Sequence, residues 1–118
     1  MTEQLKLSKQ VCFPVYMLAK EIVNRYRPFL EELGVTYPQY LVLLVLWEQD
    51  GQTVSQIGEK LHLDSGTLTP LLKRMEQKQI IVRTRNSADE RSVNITLTRQ
   101  GKDLREKPWL FPNNLSRQ

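Results

Sequence analysis

The feature that most constrains this chain is a change of hydrophobic period near residue 78. Before it, apolar residues recur at steps of three or four, the pattern of amphipathic helices. After it, Val93, Ile95 and Leu97 alternate with polar residues, as on a half-buried strand. Helices must come first, and a small β element must follow them. At 118 residues there is room for one domain, or one domain with an arm. The expected class is mainly α with a small β-hairpin.

The turn chemistry divides the helical part. Val11, Val15, Leu18, Ile22, Tyr26, Leu30 and Leu33 form one stripe, and Pro14 fits only a first turn, so a helix starts near Cys12 or Phe13. Pro28 is expected to interrupt or bend it, and Gly34 to stop it. Thr36 with Gln39 forms a capping box ahead of Leu41–Trp47, an apolar run of seven that predicts a central buried helix. Asp50-Gly51 is a turn. Thr53 with Gln56 opens a short helix to about Leu61. Asp64-Ser65 opens another to about Lys78, with Leu68, Leu71, Leu72 and Met75 inward. Pro70 is awkward there: it suits either a start at Thr69 or a first turn that tolerates a missing hydrogen bond.

Residues 80–85 read as a strand, Asn86-Ser87-Ala88-Asp89-Glu90 as a turn, and residues 91–97 as the returning strand. Thr98 caps a last helix to about Lys107, where Pro108 ends it. Residues 108–118 have no period and read as a tail. The expected division is an N-terminal arm and helix over 1–35, a compact domain over 36–107 and the tail over 108–118.

Charge is placed unevenly. Of 17 basic and 13 acidic residues, 1–59 hold five and seven, whereas 60–105 hold ten and five. A cationic half beside an acidic half suits a polyanionic partner, nucleic acid first, although a solvated basic face would look the same. Two short helices joined by Leu61-His62-Leu63 and followed by a basic hairpin are the parts of a winged helix-turn-helix. The second helix would enter the major groove of double-stranded DNA with Ser65, Thr67, Thr69, Lys73 and Arg74. The wing would add Arg83, Arg85 and Arg91, and Asp89 could hold an arginine in a bidentate pair.

No paired carboxylates, Ser/His/Asp order, Gly-rich phosphate loop or ligand cluster is present in the sequence, so neither an enzyme nor a cofactor is expected. His62 reads as a turn residue. One cysteine excludes an internal disulfide framework. No run approaches the roughly 20 apolar residues of a membrane span, and the N-terminus lacks a signal pattern, so a cytoplasmic protein without a membrane partner is expected.

The residues from Asp64 to Glu76, followed by Arg83-x-Arg85, Asp89-Glu90-Arg91-Ser92-Val93 and Leu97-Thr98-x-x-Gly101, resemble the MarR family. Together with Gln10-Val11-Cys12-Phe13 and Thr36-Tyr37-Pro38-Gln39-Tyr40, they are most similar to its organic-hydroperoxide-sensing OhrR branch. The resemblance spans roughly residues 8–107. It implies a homodimeric repressor on a pseudo-palindromic operator, with the first helix dimerising. It also implies that Cys12 senses peroxide, held by Tyr26 and Tyr37, with Tyr16 a weaker candidate.

The chemistry is consistent with that role. Thiolate is the reactive form, and a helix N-terminus or tyrosine hydroxyl donors favour it. Oxidation gives a sulfenic acid, and with no second cysteine in the chain a small cellular thiol would have to resolve it. Without the resemblance, Cys12 reads more simply as an inert buried thiol, and the two tyrosines as core or interface aromatics.

Family chains continue through a long fifth helix and a sixth. The stop at Pro108 is therefore expected to mark a shortened C-terminus, with Trp109, Leu110 and Phe111 available to pack on what remains. Two other readings stay open: a MarR-type regulator answering a small apolar or phenolic ligand, and a truncated module that heterodimerises.

Overall fold

The computed structural model describes residues 11–85 and 92–106. The expected turn at 86–90, Asp89, Arg91 and the tail at 108–118 lie outside the described residues. Among the described residues, five helices and three short strands follow in the order α1 (Cys12–Leu33), α2 (Tyr37–Glu48), β1 (Gln52–Thr53), α3 (Val54–Leu61), α4 (Ser65–Gln77), β2 (Ile81–Thr84), β3 (Asn94–Leu97) and α5 (Arg99–Asp103). A 3-10 turn, Leu104–Glu106, follows α5. The architecture is a winged helix-turn-helix behind an N-terminal helix.

The capping residues set the element boundaries. Thr36 and Gln39 cap α2 reciprocally, and Thr53 and Gln56 do the same for α3. Asp64 accepts from the Thr67 N–H at 2.9 Å to start α4, and Thr98 accepts from the Gly101 N–H at 3.0 Å to start α5. Gly34 (φ 74°) ends α1 and His62 (φ 58°) ends α3, both left-handed, so His62 is a turn residue.

Two prolines behave differently from expectation. α1 runs through Pro28, and α4 starts at Ser65, which puts Pro70 in its second turn rather than its first. Each proline leaves one carbonyl without its helical donor, on Asn24 and Gly66. All four residues are exposed, so water can hydrate those carbonyls.

α2 is the central element and touches α1, α3 and α4. Val42, Leu43 and Leu46 are at most 1% exposed, and they meet Ile57 of α3 and Leu68, Leu72 and Met75 of α4 in one core. Ile81, Ile95 and Leu97 close it from the sheet.

The sheet has three strands rather than the two of a simple hairpin, in the order β1-β3-β2. β2 and β3 are antiparallel, from Ile81 opposite Leu97 to Thr84 opposite Asn94. β1 adds Gln52 opposite Ile95 and Thr53 opposite Asn94. Two residues carry no period, so β1 exists only because β3 offers an edge. The Gln52 side chain is buried there, donating to the carbonyls of Val45 and Gln49 and accepting from Lys60 Nζ at 2.8 Å. The second strand starts at Asn94, later than its alternation suggested. The Val93 carbonyl instead accepts the Val54 N–H at 3.0 Å, tying the strand entrance to the start of α3.

α1 was read as an amphipathic helix, and its apolar stripe is divided between two surroundings. Only Phe29, Leu30 and Leu33 are buried, while Val11 is 80% exposed, Val15 61%, Leu18 62% and Ile22 44%. A helix of 22 residues is about 33 Å long, and the body of the domain covers only its last turns.

The wing is fastened to α4 at its base. Glu76 of α4 accepts the Arg83 Nε–H at 3.0 Å and the Arg83 backbone N–H at 3.2 Å. These bonds from Arg83 hold the Glu76 carboxyl below its ordinary 4.5. A lowered native value means that the tie adds stability above pH 4.5, and that this is lost as pH falls through the native value.

Two predictions follow from this packing. The excess stability of wild type over Glu76→Gln should be larger at about pH 7 than at about pH 3.5 in urea melts, and an equal difference at both would contradict the tie. A Cβ on Gly58 would lie 2.6 Å from the Leu63 carbonyl oxygen. Gly58→Ala should therefore destabilise the helix-turn-helix by about 1–3 kcal/mol in the same assay.

Candidate nucleic-acid interface and redox-sensing cysteine

The recognition surface is a consequence of the core. Burying Leu68, Leu72 and Met75 fixes the rotation of α4 and turns its opposite side to solvent. At 100° per residue the outermost stripe is Gly66, Pro70, Lys73 and Gln77, all exposed. Thr67 and Arg74 flank it on one side and are exposed; Ser65, exposed, and Thr69, half-buried, flank it on the other. Gly66 and Pro70 were not singled out in sequence because neither carries a polar side chain; their place on the exposed stripe shows only once the core fixes the rotation of α4.

The N-terminus of α4 is held by Asp64. Hydrogen bonds from the Thr67 hydroxyl and backbone N–H keep the Asp64 carboxyl below its ordinary 3.8. Thr67 therefore has a structural task beside any contact with a base.

Arg83 sits at the wing base with 21% of its side chain exposed, and its Nε points at Glu76. It was expected to contact DNA, and the geometry gives it an anchoring task. Arg85 is exposed one residue beyond β2. Asp89 and Arg91 lie outside the described residues.

Cys12 is the first residue of α1 and is exposed within the single chain. Tyr26 and Tyr37 are half-buried partners, with ring centroids 5.8 Å apart in an edge-on arrangement. Phe29 and Tyr40 complete the cluster, at 5.2 Å and 6.0 Å from Tyr26. Burial, followed by the neighbouring Tyr26 and Tyr37, pushes the Tyr40 phenol up from its ordinary 10.0, so its hydroxyl stays protonated. Phe29 and Tyr40 were not singled out in sequence because core aromatics and site aromatics look alike there.

The structure does not bring Cys12 to the tyrosines within one chain. Cys12 and Tyr26 are fourteen residues apart on one continuous helix, about 21 Å along its axis. Tyr16 is one turn from Cys12 and is 62% exposed.

Known proteins share both the sequence and the fold. A family profile described as transcriptional regulator SarA/Rot matches residues 19–107. The organic hydroperoxide resistance transcriptional regulator of Bacillus subtilis is 50% identical over 113 residues, which is 96% of this chain and 77% of that protein. Reduced AbfR bound to DNA, from Staphylococcus epidermidis, is similar with a TM-score of 0.76 at 45% identity, covering 88% of this chain and 78% of its own. Overoxidised AbfR bound to DNA is similar with a TM-score of 0.77 at 45% identity, covering 88% and 79%. The profile match over most of the folded residues, joined to half identity across nearly the whole chain, establishes that this chain belongs to the SarA/Rot family of MarR-type winged-helix transcriptional regulators.

Proposed function

We propose that this chain is a cytoplasmic DNA-binding repressor that releases its operator when Cys12 is oxidised by an organic hydroperoxide, and that it is a regulator rather than an enzyme. One combination carries the reading: an exposed recognition face on a chain half identical to a regulator of organic hydroperoxide resistance, with its only cysteine exposed at the head of α1. The structure of reduced AbfR on DNA supports the DNA-binding part, and the overoxidised AbfR structure supports oxidation as chemistry that a similar protein undergoes.

On the duplex, Lys73, Arg74 and Arg85 supply positive charge for phosphates, and Ser65, Thr67 and Thr69 supply hydroxyls for base edges. One winged domain reads half of a pseudo-palindromic operator, so two copies are needed. The exposed apolar half of α1, from Val11 to Ile22, is the surface that a second copy covers. Among the described residues no single helix is long and apolar enough to cross a membrane.

The same second copy completes the sensor. Tyr26 lies about 21 Å along α1 from its own Cys12 and Tyr37 packs on Tyr26, so the pair that holds a given Cys12 is assigned to the partner subunit. The Cys12 thiolate attacks the peroxide: an S–O bond forms, the O–O bond breaks, and the alkoxide leaves and takes a proton to become an alcohol. The resulting sulfenic acid condenses with a small cellular thiol, giving a mixed disulfide and water. With one cysteine per chain, any disulfide must be intermolecular.

Gel shifts with cumene hydroperoxide test the function. Oxidant should weaken wild-type binding by roughly 5–150-fold and leave Cys12→Ser bound; release of the serine variant sinks the sensor. Mixed dimers test the geometry. A Cys12→Ser chain paired with a Tyr26→Phe/Tyr37→Phe chain should retain one fast-reacting cysteine per dimer, as read by sulfenic-acid trapping. Slow reaction throughout would place the tyrosines with the cysteine of their own chain.

A further inference from the structure

Lys78, the residue that ends the recognition helix, reaches across the molecule to the other end of the sensor. Its ammonium donates to Gln39 Oε1 at 2.8 Å and to the Gly34 carbonyl at 2.9 Å. Those partners are 39 and 44 residues away in sequence. Gly34 is the left-handed cap of α1, and Gln39 is half of the capping box of α2. One side chain therefore joins the end of α4 to the joint between α1 and α2.

The Gln39 end of this link is buried. Gln39 is 2% exposed, and its Oε1 accepts both the Thr36 N–H, at 3.1 Å, and the Lys78 ammonium. Removing Lys78 would leave that buried oxygen with one of its two donors, which gives the contact more weight than an exposed lysine pair normally has. The joint it holds is also where the aromatic cluster sits. Tyr37 is the first residue of α2, between the two capping residues, and Tyr26 packs on it from α1. A shift of Tyr26 or Tyr37 that moves α1 against α2 changes the distance between Gly34 and Gln39, the two acceptors of one ammonium.

We propose that Lys78 is a positioning residue that couples the α1–α2 joint to the recognition helix, so that displacement of the tyrosine pair is felt as displacement of α4. In regulation this rests on the redox-controlled DNA binding proposed above, but the coupling itself can be measured without any oxidant.

The probe is a duplex of about 30 base pairs selected from random sequence by the wild-type chain, long enough for two half-sites. Its affinity is measured for wild type, Tyr26→Leu, Lys78→Met and the double variant, all reduced. Tyr26→Leu should cost about tenfold in affinity in the wild-type background and no more than about twofold beside Lys78→Met, with Lys78→Arg restoring the larger effect. Costs that simply multiply would overturn the coupling. So would a fall of about one in the salt slope for Lys78→Met, since Lys78 would then be a phosphate contact.

If Tyr26→Leu does not fold, amide exchange of Lys78→Met decides. Faster exchange at both Val35 and the last turn of α4 supports the link, and unchanged exchange at Val35 overturns it. Failure of the redox reading would look different: peroxide would leave wild-type affinity untouched whatever the cycle gives.

Discussion

Burial of three side chains, Leu68, Leu72 and Met75, is the constraint on which the rest of the structure depends. Their removal from water sets the rotation of α4 about its axis, and every outward residue on that helix follows from it. The same packing sets the wing, because Glu76 lies on the flank of α4 that faces β2 and holds Arg83 there. Recognition helix and wing therefore behave as one cationic surface. It is carried by a core whose centre, α2, is shielded on several sides by its neighbours.

A polar framework ties that surface to the remainder of the chain. Asp50 accepts from the N–H groups of Gly51 and Leu97, joining the turn after α2 to β3. Trp47 Nε1 donates to the Gly101 carbonyl at 3.0 Å, joining α2 to α5. Lys78 joins α4 to the α1–α2 joint. Apart from the Gly51 bond, each of these spans 39 residues or more in sequence and so ties together elements remote in the chain.

Much of this was legible in sequence. Both capping boxes, the Asp64 and Thr98 caps, the buried α2 and the helix-turn-helix with a wing all appear where turn chemistry and period put them, because those signals are local. What was illegible has a physical cause in each case. β1 is two residues long and owes its existence to a neighbouring strand. The prolines at 28 and 70 sit inside helices because solvent reaches the carbonyls they leave open. Arg83 reads in sequence as one more basic residue of the wing, and only three-dimensional packing gives it Glu76 as a carboxylate partner. Period cannot tell whether an apolar stripe meets the body of its own chain or a second copy, and among the described residues most of the first half of α1 is exposed.

The sequence by itself determined the elements, their order, the cationic half and the single thiol, because capping, period and charge are properties of neighbours along the chain. The tertiary structure decided which charges are tied down, that Tyr26 and Tyr37 meet, and that one lysine bridges three helices. These are distances between residues remote in sequence, and only the packing of α2 against α1 and α4 fixes them.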